Sequence, residues 1–267
     1  MTRTRATSTF DFSGSVVLVT GGGSGIGRAT AEAFGRAGAQ VAVTDVAETH
    51  AKATVDAIRE AGGAAELFLA DVTSEAAVDR LVDRVVAHFG RLDIAHNNAG
   101  AGGGVTPLAE VSTEEWRRVI DTDLTSVFLC LKAEIPAMLD SGGGAIVNTA
   151  SALGLIGAPS MAAYTAAKHG VVGLTRAAAL DYARRGIRVN AVCPGVIDTP
   201  LLAGLPKGAR DQMALGAPLG RLGQPDEAAA AVLWLCSGAA SYVTGHALPV
   251  DGGAVPGGAA ARFGELG

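Results

Sequence analysis

Charge is sparse in this chain, and basic charge sparser still. Of 267 residues only 18% are charged, with 26 Asp and Glu against 21 Lys and Arg, for a net charge of −5. That balance, with a pI near 5.5, argues against nucleic acid or an anionic membrane as the main partner. Cysteine is scarce too. Cys130, Cys193 and Cys236 show neither metal-ligand spacing nor an even disulfide set. The expectation is no metal and a soluble, reducing, cytoplasmic setting. Behind Arg3 and Arg5 the segment from Met1 to Thr9 has no apolar run, so it does not read as a signal peptide. The uncharged stretch from Ser141 to Ala167 is broken by Gly, Asn and Pro into strand, loop and helix rather than a membrane span. Hydrophobic residues, by contrast, make up 49%, enough for one large α/β domain or two small ones and too many for disorder.

The chemistry concentrates between Ser151 and Lys168. Tyr164 and Lys168 are four apart, so on a helix they share a face. A phenol ionises near pH ~10, and an ammonium within a few ångströms favours the phenolate and lowers that value by about one to three pH units. The pair then serves as a proton carrier for general acid–base work. Such pairs also arise by chance. Here Val171, Val172 and Thr175 continue the same stripe, a largely apolar face on which a free Lys is unusual. Ser151, thirteen residues before Tyr164, follows the buried-strand pattern Ala145 to Ala150, and a strand end is where a hydroxyl meets a ligand.

Towards the N-terminus, the apolar run Val16 to Val19 leads into Thr20-Gly21-Gly22-Gly23-Ser24-Gly25-Ile26-Gly27 and an Ala-rich helix to about Ala37. Strand, glycine turn and helix in that order make a dinucleotide phosphate site, with Gly21, Ser24, Gly25, Ile26 and Gly27 as its cofactor-binding residues. Asp45 ends the next strand, eighteen residues past Gly27, placed to accept hydrogen bonds from the adenosine ribose. A 2′-phosphate there would carry about −1.5 to −2 charges. At about 5 Å its repulsion by a carboxylate is roughly 1.5 kcal/mol in a watery site and ~5 kcal/mol at an effective dielectric of about 20. Even the lower figure is about tenfold against NADP. Neither Ser24 nor Val46 supplies a compensating cation, and NAD is favoured.

Alternating helices and strands follow: a helix over 47–61, a strand over 65–70, and Asp71-Val72 with a capping box at Thr73 or Ser74 opening a helix to about Phe89. Leu92 to His96 reads as a strand running into Asn97-Asn98-Ala99-Gly100 and a glycine-rich loop to Gly104. This rhythm predicts parallel βαβ units with right-handed crossovers. Ser112 to Glu115 is a second capping box, opening a long helix towards Met138 with the apolar stripe Trp116, Val119, Ile120, Leu124, Val127 and Leu131. Asp123 falls inside that stripe, either a satisfied structural acid or a member of the site. Helix continues from the Tyr164 segment to Arg185 and stops at Gly186; a sixth strand covers 187–192 and ends in Cys193 to Thr199. The Leu-, Gly- and Pro-rich stretch 200–222 suits a substrate lid. Beyond it come a helix over 226–236 and a short strand over 247–250. Leu153, Leu155, Met161, Leu201, Leu202, Leu205, Met213 and Leu215 are either an apolar substrate wall or packing.

Thr20-Gly21 with Gly25-Ile26-Gly27, Asp71-Val72, Asn98-Ala99-Gly100, Ser151, Tyr164 with Lys168, Pro194-Gly195 with Thr199, and Asp251-Gly252-Gly253 form one ordered set. Together they resemble the short-chain dehydrogenase/reductase family from about Phe12 to Gly253. The resemblance implies a doubly wound (Rossmann) seven-stranded parallel sheet forming one NAD-binding domain over 12–253, with tails at 1–11 and 254–267. It implies Tyr164 as acid/base, Ser151 as donor to the substrate oxygen, and Lys168 on both the ribose and the phenol. Asp71 and Val72 would meet adenine, the Asn98-Ala99-Gly100 turn the ribose region, Pro194-Gly195 the cofactor edge, and Ile197 and Thr199 the carboxamide. The implied reaction is NAD-dependent interconversion of a secondary alcohol and a ketone by a homotetramer. A 3-ketoacyl-carrier-protein reductase and a non-catalytic NAD-binding module stand as alternatives, the first opposed by Asp45 and the chain's acidity. One departure matters: the family usually has Asn where this chain has Asp123. The resemblance implies that this Asn helps hold a water leading to the lysine; if ionised, Asp123 still orders that relay but partly cancels the charge of Lys168, so activity peaks at more alkaline pH than in Asp123→Asn.

Overall fold

In the computed structural model, residues 10–257 are described. Seven parallel strands form one sheet in the order β3-β2-β1-β4-β5-β6-β7. They are β1 (Val16–Thr20), β2 (Gln40–Asp45), β3 (Ala64–Leu69), β4 (Ile94–Asn97), β5 (Gly144–Thr149), β6 (Ile187–Pro194) and β7 (Ala247–Val250). The first three wind outwards one way and the last four the other. The reversal between β1 and β4 opens a crevice beyond their C-terminal ends, where an open parallel sheet receives a ligand.

Period-two alternation decides what each face buries. Val16 and Leu18 point into a core shared with α3 (Glu75–Phe89), α5 (Ser126–Asp140) and α6 (Ala162–Tyr182). Val17 and Val19 point into the opposite core, shared with α1 (Gly25–Arg36), α2 (Glu48–Glu60) and α8 (Pro225–Cys236). Phe12 and Phe34 meet edge-on at 4.8 Å in that second core, and Phe10, placed in the tail by sequence, packs against it. The remaining tail residues, 1–9 and 258–267, lie outside the described residues; 254–257 make a last helical turn.

The structure revises four local expectations. Ser74 occupies the N-cap of α3, but its side chain makes no capping bond. Asp71 instead takes both the N–H (2.9 Å) and the hydroxyl (2.7 Å) of Thr73, a tight turn that competes with the box. The long helix expected after Ser112 is three pieces: α4 (Thr113–Ile120), a π-turn (Asp121–Thr125) and α5. Trp116, expected in the buried stripe, is 40% exposed, while Val119 one turn on is fully buried. Finally, 200–222 is not all irregular: α7 spans Lys207–Leu215.

Candidate active site

Three strand ends are laced together beneath the crevice. Thr20 Oγ at the end of β1 accepts the backbone N–H groups of Asn98 (3.0 Å) and Ala99 (3.2 Å). The Asn98 amide donates back to the carbonyls of Thr20 and Gly21, both at 3.3 Å. Thr149 at the end of β5 gives its hydroxyl proton to Asn98 Oδ1 at 3.3 Å, so it accepts from His96 Nε2 at 2.9 Å. Burial holds His96 neutral, pushing it down to about 3. A neutral ring with its proton on Nε2 fits that role.

Onto this lattice the glycine turn is packed without room for side chains. A Cβ on Gly27 would lie 2.1 Å from the carbonyl oxygen of Gly21, so the first turn of α1 sits directly against the loop it follows. Ser24 is the N-cap of α1 yet its side chain makes no capping bond, leaving the first-turn N–H donors of Gly25, Ile26 and Gly27 uncovered by it. Asp45 is fixed by its two neighbours, Oδ2 accepting from Gly23 N–H and Oδ1 from Ala47 N–H, each at 3.0 Å. An uncovered helix start and a pinned carboxylate one strand away fit a dinucleotide. Asp71 lies at the end of β3, its carboxyl held below the usual range by the Thr73 hydroxyl and N–H. Val72 is buried against Val78, Leu129 and Cys130.

Tyr164 and Lys168 stand on one face of α6, the ammonium 5.5 Å from the centre of the phenol ring. Lys168 is almost wholly buried. Its Nζ donates to the Thr149 carbonyl at 3.1 Å and lies 3.2 Å from Asp123 Oδ1. Ser151 Oγ accepts from Leu153 N–H at 3.1 Å, an arrangement that keeps its own proton available to give.

Ser151 and Tyr164 both line a cavity of about 820 Å³. Ile26, Pro194, Gly195, Ile197 and Thr199, which the sequence assigns to the cofactor, line it as well. Of the proposed apolar wall, Leu153, Met161, Leu201, Leu202 and Met213 face it. Leu155 instead packs on the core, Leu205 borders a smaller pocket behind α7, and Leu215 is exposed. Ile156, Val196 and Leu219 complete the wall. Sequence reasoning passed over them because they are isolated hydrophobics in loops, with no periodicity to mark them. His96 and Thr149 were missed for a different reason: they bond to each other and to Asn98 across strands distant in sequence.

Compared with known proteins, residues 21–255 match the family model described as "Enoyl-(Acyl carrier protein) reductase". The chain is 50% identical over 242 residues to cis-4-hydroxycyclohexanecarboxylate dehydrogenase of Sinomonas cyclohexanicum, covering 91% of this chain and 97% of that one. It is 48% identical over 241 residues to cyclohexanol dehydrogenase of Acinetobacter sp. (strain SE19), covering 90% and 95%. The crystal structure of levodione reductase superposes with a TM-score of 0.89 at 39% identity, covering 92% of this chain and 99% of that one. With its topology, its ordered motifs and these matches in agreement, the chain belongs to the short-chain dehydrogenase/reductase family, as an oxidoreductase of alcohols and ketones.

Proposed function

We propose that this protein is an NAD-dependent dehydrogenase of a secondary alcohol on a six-membered carbocycle, running in reverse as a reductase of the ring ketone. The observation that carries the reading is that Ser151 and Tyr164 line one cavity together with aliphatic side chains such as Leu153, Ile156, Leu201, Leu202 and Met213. Relatives named for cyclohexanol, hydroxycyclohexanecarboxylate and levodione support a ring of that size.

When bound, NAD supplies the chemistry of accepting or returning a hydride. The first turn of α1 would hold its pyrophosphate and Asp45 its adenosine ribose. Asp71 and Val72 would border adenine, Asn98-Ala99-Gly100 the adjoining backbone, and Pro194, Gly195, Ile197 and Thr199 the carboxamide end. Within the cavity Ser151 gives its proton to the substrate oxygen, which fixes the carbinol and steadies charge there as the bond order changes. Tyr164 takes the hydroxyl proton in oxidation and returns it in reduction. Lys168, held by Thr149 beneath the ring, supports the phenolate form. The aliphatic wall excludes water and seats the ring.

The choice of NAD over NADP rests on Asp45, a carboxylate held at the end of β2 by the Gly23 and Ala47 N–H groups that would repel the 2′-phosphate of NADP. Trp116, Phe128 and Leu180 leave apolar surface on α4, α5 and α6, which supports a homotetramer packed through these helices. Three free, buried cysteines suit a reducing cytoplasm.

The test is a screen of cyclohexanol and substituted cyclohexanols with each cofactor, read by the near-ultraviolet absorbance of reduced nicotinamide. NAD should be reduced, NADP at least about tenfold less efficiently. Tyr164→Phe should lose on the order of a hundredfold or more in kcat. Silence on every ring alcohol, or an unimpaired Tyr164→Phe, would sink the reading.

A further inference from the structure

Four of the five residues from Gly100 to Gly104 are glycine. Such a stretch has almost no side chain to pack and loses unusual freedom when it is ordered, so its shape has to come from its own backbone N–H and carbonyl groups. Yet Ala101, Gly102 and Gly103 form part of the cavity wall. Gly103 runs between α4 and α6, where a Cβ would lie 3.4 Å from Val119 Cγ2 and 3.5 Å from Tyr164 Cβ.

The loop is clasped on two sides. Towards α4, Glu115 Oε1 accepts from Gly104 N–H at 3.0 Å, and Arg118 Nη2 donates to the Gly102 carbonyl at 3.3 Å. The two side chains also grip each other, Arg118 giving Nε to Oε2 at 2.8 Å and Nη2 to Oε1 at 2.9 Å. A forked pair of this kind fixes direction as well as distance. Towards α6, Thr106 N–H donates to the Ser160 carbonyl at 2.8 Å, and Thr106 pairs with Met161 in an isolated parallel bridge. Ser160 holds a left-handed backbone, with φ of 59°, which is uncommon for a residue with a side chain. Met161, directly after it, lines the cavity.

Beneath the first clasp the platform is firm. Ser112 caps the Glu115 N–H, and Val119, one turn past Glu115, is buried with Ala163, Ala167 and Tyr164 of α6. The helix that carries Glu115 and Arg118 is thus packed on the helix that carries Tyr164. Neither Glu115 nor Arg118 lines the cavity, so whatever they do there is done through the loop.

We infer that Glu115 and Arg118 are positioning residues for the substrate, holding the glycine wall in place beside Tyr164 so that a ring alcohol meets a seat already formed. This rests on the proposed ring-alcohol reaction. A loop that had to be ordered at the moment of binding would weaken the hold on substrate without changing the reacting groups. A loss of this kind shows in KM rather than in kcat.

Glu115→Ala removes the acceptor and releases Arg118. In the ligand-free protein, hydrogen exchange at the Gly104 amide should quicken on the order of tenfold, with urea stability close to wild type because Ser112 still caps α4. In turnover of cyclohexanol with NAD, KM for the alcohol should rise about tenfold, while kcat and KM for NAD stay within about twofold. Glu115→Gln keeps an acceptor for Gly104 and should recover most of that loss. Arg118→Met cuts the tie to Gly102 and should raise KM in the same direction. Unaltered exchange at Gly104 would overturn the inference whatever the turnover data show. Faster exchange with KM unchanged, or with the loss falling on kcat instead, would overturn it too. Faster exchange in a protein that oxidises no ring alcohol would uphold the clasp and reject the proposed reaction.

Discussion

Below the cavity, Thr20, Asn98, Thr149 and Lys168 are buried or half-buried and bonded to one another across three strand ends. Above it, no residue from 200 to 222 is buried. There α7 carries solvent-facing pairs, Lys207 with Asp211 within the helix and Arg210 with Asp198 outside it. Both regions line or support the same 820 Å³ space. Groups that transfer a proton need positions fixed to a fraction of an ångström, and a buried lattice supplies them. A wall that only selects shape needs contact alone, and tolerates exposed, replaceable side chains. Substitutions below should therefore be costly in stability and rate together, and those above costly in neither.

The largest expected effect comes from removing the lysine. Lys168→Met leaves Asp123 as a carboxylate 1% exposed with its cation gone. Breaking a buried pair on one side typically costs about 3–5 kcal/mol. Turnover should fall on the order of a hundredfold or more. The double variant Lys168→Met/Asp123→Asn separates the two losses, because no buried charge is left unpaired. Urea unfolding should recover most of the stability while turnover stays low. Recovery of both would mean that the lattice, rather than the ammonium, sets the rate.

One layer further down lies a buried carboxyl of the opposite kind. Glu134 on α5 has no cation among the described residues. Its Oε2 accepts from Asn97 at 3.0 Å, and Asn97 also donates to Asn148, which donates to Thr175, each at 3.0 Å. Glu134 Oε1 has no partner among the described residues. Burial pushes this group up to about 7, against the smaller pull of Asn97. A folded value raised above the unfolded 4.5 makes the native state hold a proton that the unfolded chain releases. Its contribution is present below pH 4.5 and lost as pH rises to about 7, a swing of about 3 kcal/mol. His96 works the other way, losing stability as pH falls from 6.5 towards 3. Between these limits the two slopes offset each other. In Glu134→Gln the urea stability should therefore rise from about pH 4.5 to 6.5, where the wild type is level. A wild type that rises in parallel with the variant would mean that Glu134 is already ionised in the native state.

Sequence made the upper surface of this lattice legible, because each signal was local. The glycine turn, Asp45 at the next strand end and the four-residue spacing of Tyr164 and Lys168 are all set by neighbours in the chain. Contacts between distant segments were not readable. The Asp123–Lys168 pair spans 45 residues and depends on a π-turn for which helical periodicity gives no cue. Asn97 and Glu134 meet only because α5 packs over β4. Even Ser112 shows the limit. Its hydroxyl caps Glu115 N–H at 3.1 Å as the box motif requires, but the Glu115 carboxylate turns to Arg118 and Gly104. In the 200–222 segment the surrounding glycines and prolines masked α7, whose nine residues are too few to show a helical period of their own.

The smallest effect belongs to the lid and sharpens the contrast most. Arg210 on α7 pairs with Asp198, which sits between Ile197 and Thr199, two residues that line the cavity. Their side chains are 32% and 39% exposed. Pairs this wet are worth about 0.2–1 kcal/mol, and salt screens them. Asp198→Asn should therefore raise KM for a ring alcohol by no more than about fivefold, with kcat and urea stability unchanged. In about 1 M salt the wild type should approach the variant, since the Debye length there is about 3 Å. A double-mutant cycle with Arg210→Gln isolates the pair from changes in the helix itself. Suppose instead that Asp198→Asn lowered kcat as far as the lysine variant does. The lid would then be holding the reacting groups, and the division between a fixed floor and a replaceable wall would fail.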